Sequence, residues 1–379
     1  MAIRGASDEP VDASAWDGAV TVAAIGDLML SGEWEAVAAR EGLEVALEDL
    51  GALVAEDDLV FANLETAASG DEGVIPKEPR VVADVDILAR SLRAVGADLV
   101  NTANNHTFDA LWAGWARAKG MLESEGILYL GSGQDLHEAS LPVIAKRRGI
   151  RFGWLAYCDR ETKPSHVATE DAYGINPLDP ERARAAVEAL KPQVDHVIVS
   201  LHWGVEYCHI PSPDQIRIAR SLIDAGASLV VSHHAHVVQG FEAWGDGAIL
   251  YNLGNATTTD HYVGERLAIR QDQRTRSSFV MRAAFDKERL RAVEAIPIRS
   301  EEGIVFVEDA IARGILEGAN RRLAKGVTPE LWKRTRLYED VVLRTARKLD
   351  PQVIRSVRPR HLVTFGKNLL SALKGKGPV

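Results

Sequence analysis

Short apolar runs recur along this chain, and five of them end in residues that can bind a metal. Residues 20–25 lead into Gly26-Asp27-Leu28-Met29, and 59–62 into Asn63-Leu64-Glu65. Residues 99–100 lead into the stretch from Asn101 to Asp109, which holds Asn104, Asn105 and His106. Residues 197–201 lead into His202, and 229–231 into Ser232 and then His233, His234 and His236. Apolar runs of this length, bounded by glycine or polar residues, read as buried strands. Carboxylates, amide oxygens and imidazoles at strand carboxyl ends stand where open α/β sheets place their sites.

Between these strands the pattern predicts helices over 33–55, 85–95, 110–124, 181–190 and 213–225. Further strands are expected at 127–130, 142–146, 151–157, 237–243, 248–251, 278–285 and 290–298. Alternating strands and helices, followed by clustered strands, predict mixed sheets with helices outside them. Residues 1–18 read as a polar arm, 19–300 as the body and 301–379 as a helical extension. Its helices are expected at 307–323, 329–348 and 361–373, with Thr328 as N-cap and Pro329 at the first helical position.

Composition places the chain among soluble globular proteins: 379 residues, 46% hydrophobic and 26% charged. The net charge of −10 excludes a general nucleic-acid binder, which carries a basic footprint. The charge is uneven. From Glu301 onward there are 16 Lys and Arg against 9 Asp and Glu, a net of +7, which leaves −17 on residues 1–300. Such asymmetry marks an extra segment with its own contacts. The extension is expected to pack on the body or on a second subunit of a homo-oligomer. A peripheral membrane or protein partner is the alternative, because Leu362, Val363, Leu369, Leu370 and Leu373, with Lys367 and Lys374 nearby, can form a membrane-surface face. Cys158 and Cys208 form no CxxC pair and fit a reducing compartment. The first eighteen residues lack the apolar core of a signal peptide, and no run of about 18 apolar residues could span a bilayer. The expected location is cytoplasmic.

Imidazole is the commonest nitrogen ligand of transition metals. A strand keeps side chains i and i+2 on one face, so His234 and His236 converge if the chain stays extended, and His233 points away. For a lone histidine, packing in a turn is the better reading. An H-x-H leaving a buried strand, with four similar strand ends elsewhere, favours a metal. The 68–80 loop carries Lys77 and Arg80, which either meet an anionic substrate or stand solvated at the surface. The irregular 159–177 stretch is expected to hold part of the specificity.

The segments GDLML, FANLET, ANNHTFD, LHWGVEY, SHHAHVVQGFE and ILYNLGN follow, in order, the motifs of the CapA-type proteins of poly-γ-glutamate capsule synthesis. The chain resembles that family over about residues 20–300. Through it, the chain resembles the calcineurin-like metallophosphoesterases. The resemblance implies a sandwich of two mixed β-sheets flanked by helices. It also implies one or two divalent transition metals, for which a mixed N/O donor set suits Mn, Fe or Zn. By the same resemblance Asp27 binds the first metal, Glu65 bridges, Asn105, His202 and His234 hold the second, and His236 returns to the first. His106 takes the place of the histidine that contacts substrate and acts as acid, with Asp109 orienting it. Glu206 either supports His202 or meets a substrate amine.

The wider superfamily has Asp-x-His in the first motif, whereas this chain has Asp27-Leu28-Met29. The first metal therefore lacks a nitrogen ligand, and a single-metal site at Asn105, His202 and His234 stays open. Three functions follow from the resemblance. One is a metal-dependent hydrolase of a phosphoester or a glutamyl-type amide, with a small or polyglutamate-like anionic substrate. The second is a non-catalytic accessory protein of polyglutamate synthesis. The third is a soluble relative serving another pathway that makes or cuts amide bonds.

Overall fold

The computed structural model describes residues 2–4, 13–30, 33–76, 79–263 and 266–339. Two large mixed sheets face each other, as the resemblance implies, with helices on their outer sides, as the pattern predicts. In the first sheet Val20–Leu28, Leu59–Leu64, Leu99–Asn101 and Leu128–Leu130 run parallel. Ser277–Phe285 joins antiparallel to the other edge of Val20–Leu28, and Leu290–Glu301 pairs antiparallel with Ser277–Phe285. In the second sheet Ile150–Cys158, His196–His202, Leu229–His233 and Gly247–Asn252 are parallel neighbours. Val143–Arg147 and Gly240–Trp244 close its edges antiparallel.

The His196–His202 strand shows why the layers stack. Ile198 points into the core between the sheets, while Val197, Val199 and Leu201 point at the outer helices. A strand covered on both faces reads as an apolar run without alternation. Phe61 of the first sheet stacks on Trp154 of the second, with ring centroids 4.6 Å apart. Each ring removes on the order of 2–3 kcal/mol worth of apolar surface from water. On the outside of the second sheet, Pro180–Leu190 and Pro213–Asp224 bury Ala183, Val187, Ala219 and Leu222. On the first, Leu43–Val54 buries Leu43, Leu47, Leu50 and Val54, which share one helical face. Arg147 ties the layers at one edge, donating to Asp98 Oδ1 at 2.8 Å.

Three elements differ from the pattern-based reading. The expected 33–55 helix is two, Glu33–Glu41 and Leu43–Val54, broken at Gly42 with φ +83°. The strand expected at 237–243 begins only at Gly240 and runs to Trp244, because 234–237 bends to form a turn. Ile304–Val307 is a strand on the Leu290–Glu301 edge, where a helix was expected from residue 307. The helix starts at Ala310, where Asp309 caps Ile311 and Ala312, and it ends at Ala324.

The sheet thus runs across residue 300, and Leu316 and Ala319 of that helix enter the main core. Residues 2–4 also add a parallel strand beside Leu290–Glu301. Thr328 caps Pro329–Arg336 by accepting from Leu331 N at 3.1 Å, with Pro329 at the helix start, as expected. The expected 361–373 helix and the end of the 329–348 helix lie outside the described residues. Among the described residues no helix is long and apolar enough to cross a membrane.

Candidate metal centre

The five ligand-bearing strand ends meet at one end of the sandwich. Asp27 lies inside the Val20–Leu28 strand rather than beyond it, opposite Asn63 on one side and Asn255 on the other. Gly26 permits this. A Cβ there would stand 2.1 Å from the Gly254 carbonyl oxygen, and that carbonyl accepts from Asp27 N at 3.0 Å. Asn63 Nδ2 donates to Asp27 Oδ1 at 2.8 Å, and Asn101 Nδ2 donates to Asn63 Oδ1 at 2.7 Å. This chain of buried amides fixes which carboxylate face is presented inward.

The histidines converge by a turn, not by an extended strand. The strand stops at His233, and His234 and His236 have φ values of +94° and +56°. Non-glycine residues adopt this region at a cost of order 1–3 kcal/mol and cluster at functional sites. The turn brings His234 Nδ1 to 3.1 Å from His202 Nε2, which also lies 2.7 Å from Asn105 Oδ1. Glu65 Oε1 is 3.5 Å from His202 Nε2 and 4.0 Å from His236 Nε2. His236 Nδ1 sits 2.9 Å from Asn255 Oδ1 and 3.4 Å from Asp27 Oδ2.

Two triads result, Glu65–His202–His234 and Asp27–Glu65–His236, each with its donor atoms within 4.8 Å of one another. They share Glu65. The donor set fits a divalent cation on a further ground. His202 Nε2 carries at most one proton, yet it meets an amide oxygen and an imidazole nitrogen at close range. A cation among them satisfies all three lone pairs.

Electrostatics divides the two triads. Burial pushes His234 down to about 3, and burial with the neighbouring His234 holds His202 well below the usual histidine range. Both are neutral at pH 7, with lone pairs ready. Burial also opposes charge on His236, but the Glu65 and Asp27 carboxylates outweigh it and raise His236 to about 10. Burial likewise disfavours ionised Asp27, yet the imidazoles of His233 and His236, 3.2 and 3.4 Å away, keep it well below the usual carboxylate range. In the absence of metal, a proton on His236 offsets the buried carboxylates.

His106 and Asp109 stand at the mouth of this centre. His106 Nδ1 lies 2.6 Å from Asp109 Oδ2, and that oxygen also accepts from Val81 N at 2.9 Å. Asp109 is fully buried. Its carboxylate holds the proton on Nδ1 and leaves Nε2 as the atom that gives or takes one. His106, Glu206, Tyr207, His236, Met29 and His261 line a pocket of about 70 Å³.

Residues 21–259 match the family described as bacterial capsule synthesis protein PGA_cap. The chain belongs to this family. It is 24% identical over 295 residues to the capsule biosynthesis protein CapA of Bacillus anthracis, covering 75% of this chain and 68% of that one. It is 26% identical over 254 residues to the PGA biosynthesis protein CapA of Bacillus subtilis strain 168, covering 66% of each. The chain therefore spans about two thirds of the length of these relatives. Among solved structures it is similar to the NAD nucleotidase of Haemophilus influenzae, with 13% identity and a TM-score of 0.42. That match covers 80% of this chain and 62% of that one.

In this PGA_cap protein the six expected ligands, Asp27, Glu65, Asn105, His202, His234 and His236, are gathered at one centre. His106, Asp109 and Glu206 stand beside it. Arg80 is half-buried next to Val81 and does not line the pocket; Lys77 lies outside the described residues. Met29 is at the pocket wall, with its backbone N–H bonded to Thr257 Oγ1 at 3.1 Å. His233 belongs to neither triad. It is buried, with Nδ1 3.2 Å from Asp27 Oδ1, a contact that side-chain alternation alone does not provide. The sequence pattern assigned no role to Asn63, Asn101 or Asn255. Their signal was present, since each stands at a strand end or start beside a ligand. Cys158 and Cys208 are buried, with Cys158 Sγ 3.2 Å from Thr162 Oγ1 and Cys208 Sγ 3.5 Å from Ile210 O.

Proposed function

We propose that this PGA_cap protein is a metal-dependent hydrolase of a phosphoester or glutamyl-type amide, with an anionic, polyglutamate-like molecule as the candidate substrate. The observation that carries this reading is the pair of buried donor triads sharing Glu65, with the His106–Asp109 pair opening on the same pocket. A divalent metal held here supplies a water whose pKa is lowered toward about 7. Asn105, His202 and His234 would hold one ion; Asp27 and His236 would hold the other, with Glu65 between them. Asn255 orients His236 through its Nδ1, and Asn63 orients Asp27. His106, its tautomer fixed by Asp109, passes a proton at Nε2 to the leaving group. Glu206 at the pocket wall favours a substrate amine over a second carboxylate at that point.

Elemental analysis of wild type and Asp27→Ala, with assays on phosphoesters and γ-glutamyl amides, tests this. Two equivalents of metal falling to one, with turnover lost, support a dinuclear hydrolase. One equivalent unaffected by the change places a single ion at Asn105, His202 and His234. Metal bound without turnover on either substrate class moves the reading to an accessory protein of polyglutamate synthesis.

A further inference from the structure

Glu339 comes from the C-terminal extension, three residues past the Pro329–Arg336 helix, and is only 2% exposed. A carboxylate so deeply buried requires partners. Arg274 Nη1 donates to its Oε2 at 2.8 Å. Its Oε1 lies 2.9 Å from His209 Nδ1, off the axis of a well-directed hydrogen bond.

Each partner belongs to a segment bound to the turn that carries His236. On one side, His209 ends the 203–209 stretch. Tyr207 N donates to Ala235 O at 2.7 Å, and Gln239 Nε2 donates to Cys208 O at 2.7 Å. Glu206 and Tyr207 of this stretch form a wall of the pocket. On the other side, Arg274 lies in a turn where Asp272 Oδ1 accepts from the N–H groups of Arg274 and Thr275. Thr275 O accepts from Asn255 Nδ2 at 2.9 Å, and Asn255 Oδ1 meets His236 Nδ1 at 2.9 Å. One carboxylate therefore joins the two segments that flank His236.

We propose that Glu339 is a positioning residue for the Asp27–Glu65–His236 triad, so that the C-terminal extension completes the build of one of the two metal positions. The proposal rests on the metal-centre reading above. Glu339 touches no ligand. It acts on His236 selectively through the Arg274 turn and Asn255; the 203–209 stretch meets the turn at Ala235, beside both His234 and His236, and there His234 is braced in addition by His202, which Asn105 holds in turn.

The test uses the full chain carrying Glu339→Ala or Glu339→Gln. Mn²⁺ binding is followed by calorimetry, and amide hydrogen exchange is measured on the metal-free proteins. Glu339→Ala weakens the site containing His236 about tenfold, the scale of one lost charge-assisted hydrogen bond, and leaves the other site within about twofold. Exchange quickens in 203–209 and 271–276 and is unchanged in the sheets. Glu339→Gln, which still accepts from Arg274, recovers most of the affinity. Equal weakening of both sites, or unchanged exchange in both segments, overturns the proposal. If wild type binds no divalent metal, the metal-centre reading fails. The exchange comparison then decides Glu339 by itself: local loss of protection keeps it as the clamp, and no change removes it. If Glu339→Ala does not fold, Glu339→Gln is read alone, with a selective loss of about threefold at the His236 site expected and an equal loss at both sites refuting it.

Discussion

The contrast between His236 and the His202–His234 pair predicts that the two metal positions respond differently to pH. His236 is raised to about 10, so at pH 7 nearly every molecule must release a proton before its imidazole can ligate. His202 and His234 are already neutral, the latter with a pKa of about 3. One proton released per ion makes affinity at the Asp27–Glu65–His236 position rise tenfold per pH unit, or about 300-fold between pH 6 and 8.5. The other position should change little over the same window.

Calorimetric titration with Mn²⁺ in buffers of different ionisation enthalpy counts the protons directly. Wild type should release about one more than His236→Gln, whose side chain has no proton to lose. The comparison cancels any release common to both proteins. Stability of the metal-free protein gives a second readout. A histidine whose folded pKa is raised stabilises fully below its unfolded value near 6.5, and that contribution is lost as pH rises toward about 10. The midpoint of thermal unfolding should therefore fall over that interval by about 2–4 °C for each kcal/mol lost, and added Mn²⁺ should reverse it. A pH-independent affinity at both positions, with equal proton release in wild type and variant, would refute the assignment of the proton to His236.

Three further outcomes follow from the geometry. His202→Ala or His234→Ala should lower metal content by about one equivalent in elemental analysis, since each removes one donor of a three-residue set. Asp109→Asn should retain metal but slow turnover by about 5–30-fold. It exchanges a charge-assisted bond to His106 Nδ1 for a neutral one, a difference of about 1–2 kcal/mol, and unchanged turnover with the metal in place would remove the proton-transfer role. Gly26→Ala forces a methyl group against Gly254 O at 2.1 Å, so the strand must shift. A cost of about 1–3 kcal/mol in denaturant unfolding is expected, with weaker metal binding, because Asp27 is the next residue.

The sequence by itself determined the class of fold and the inventory of the centre. Runs such as Val197–Leu201 and Leu229–Val231 are apolar without alternation, and only strands covered on both faces tolerate that. The polar residues that end such runs marked the candidate donors, and the resemblance to the CapA motifs singled out six of them as expected ligands and His106–Asp109 as an expected pair. What periodicity could not decide was the path of the chain after residue 233. An extended strand and a left-handed turn place His234 and His236 differently, and the turn is held by contacts from distant segments, such as Tyr207 N to Ala235 O. The tertiary structure likewise decided that Asn63 grips Asp27, that Asn255 grips His236, and that residues 304–324 join the sandwich. Glu339 is the extreme case. It reaches Arg274 across 65 residues of sequence, and no local pattern distinguishes it from the exposed acids of a charged helix. Local pattern records which residues must be buried, whereas long-range contact decides what each of them meets.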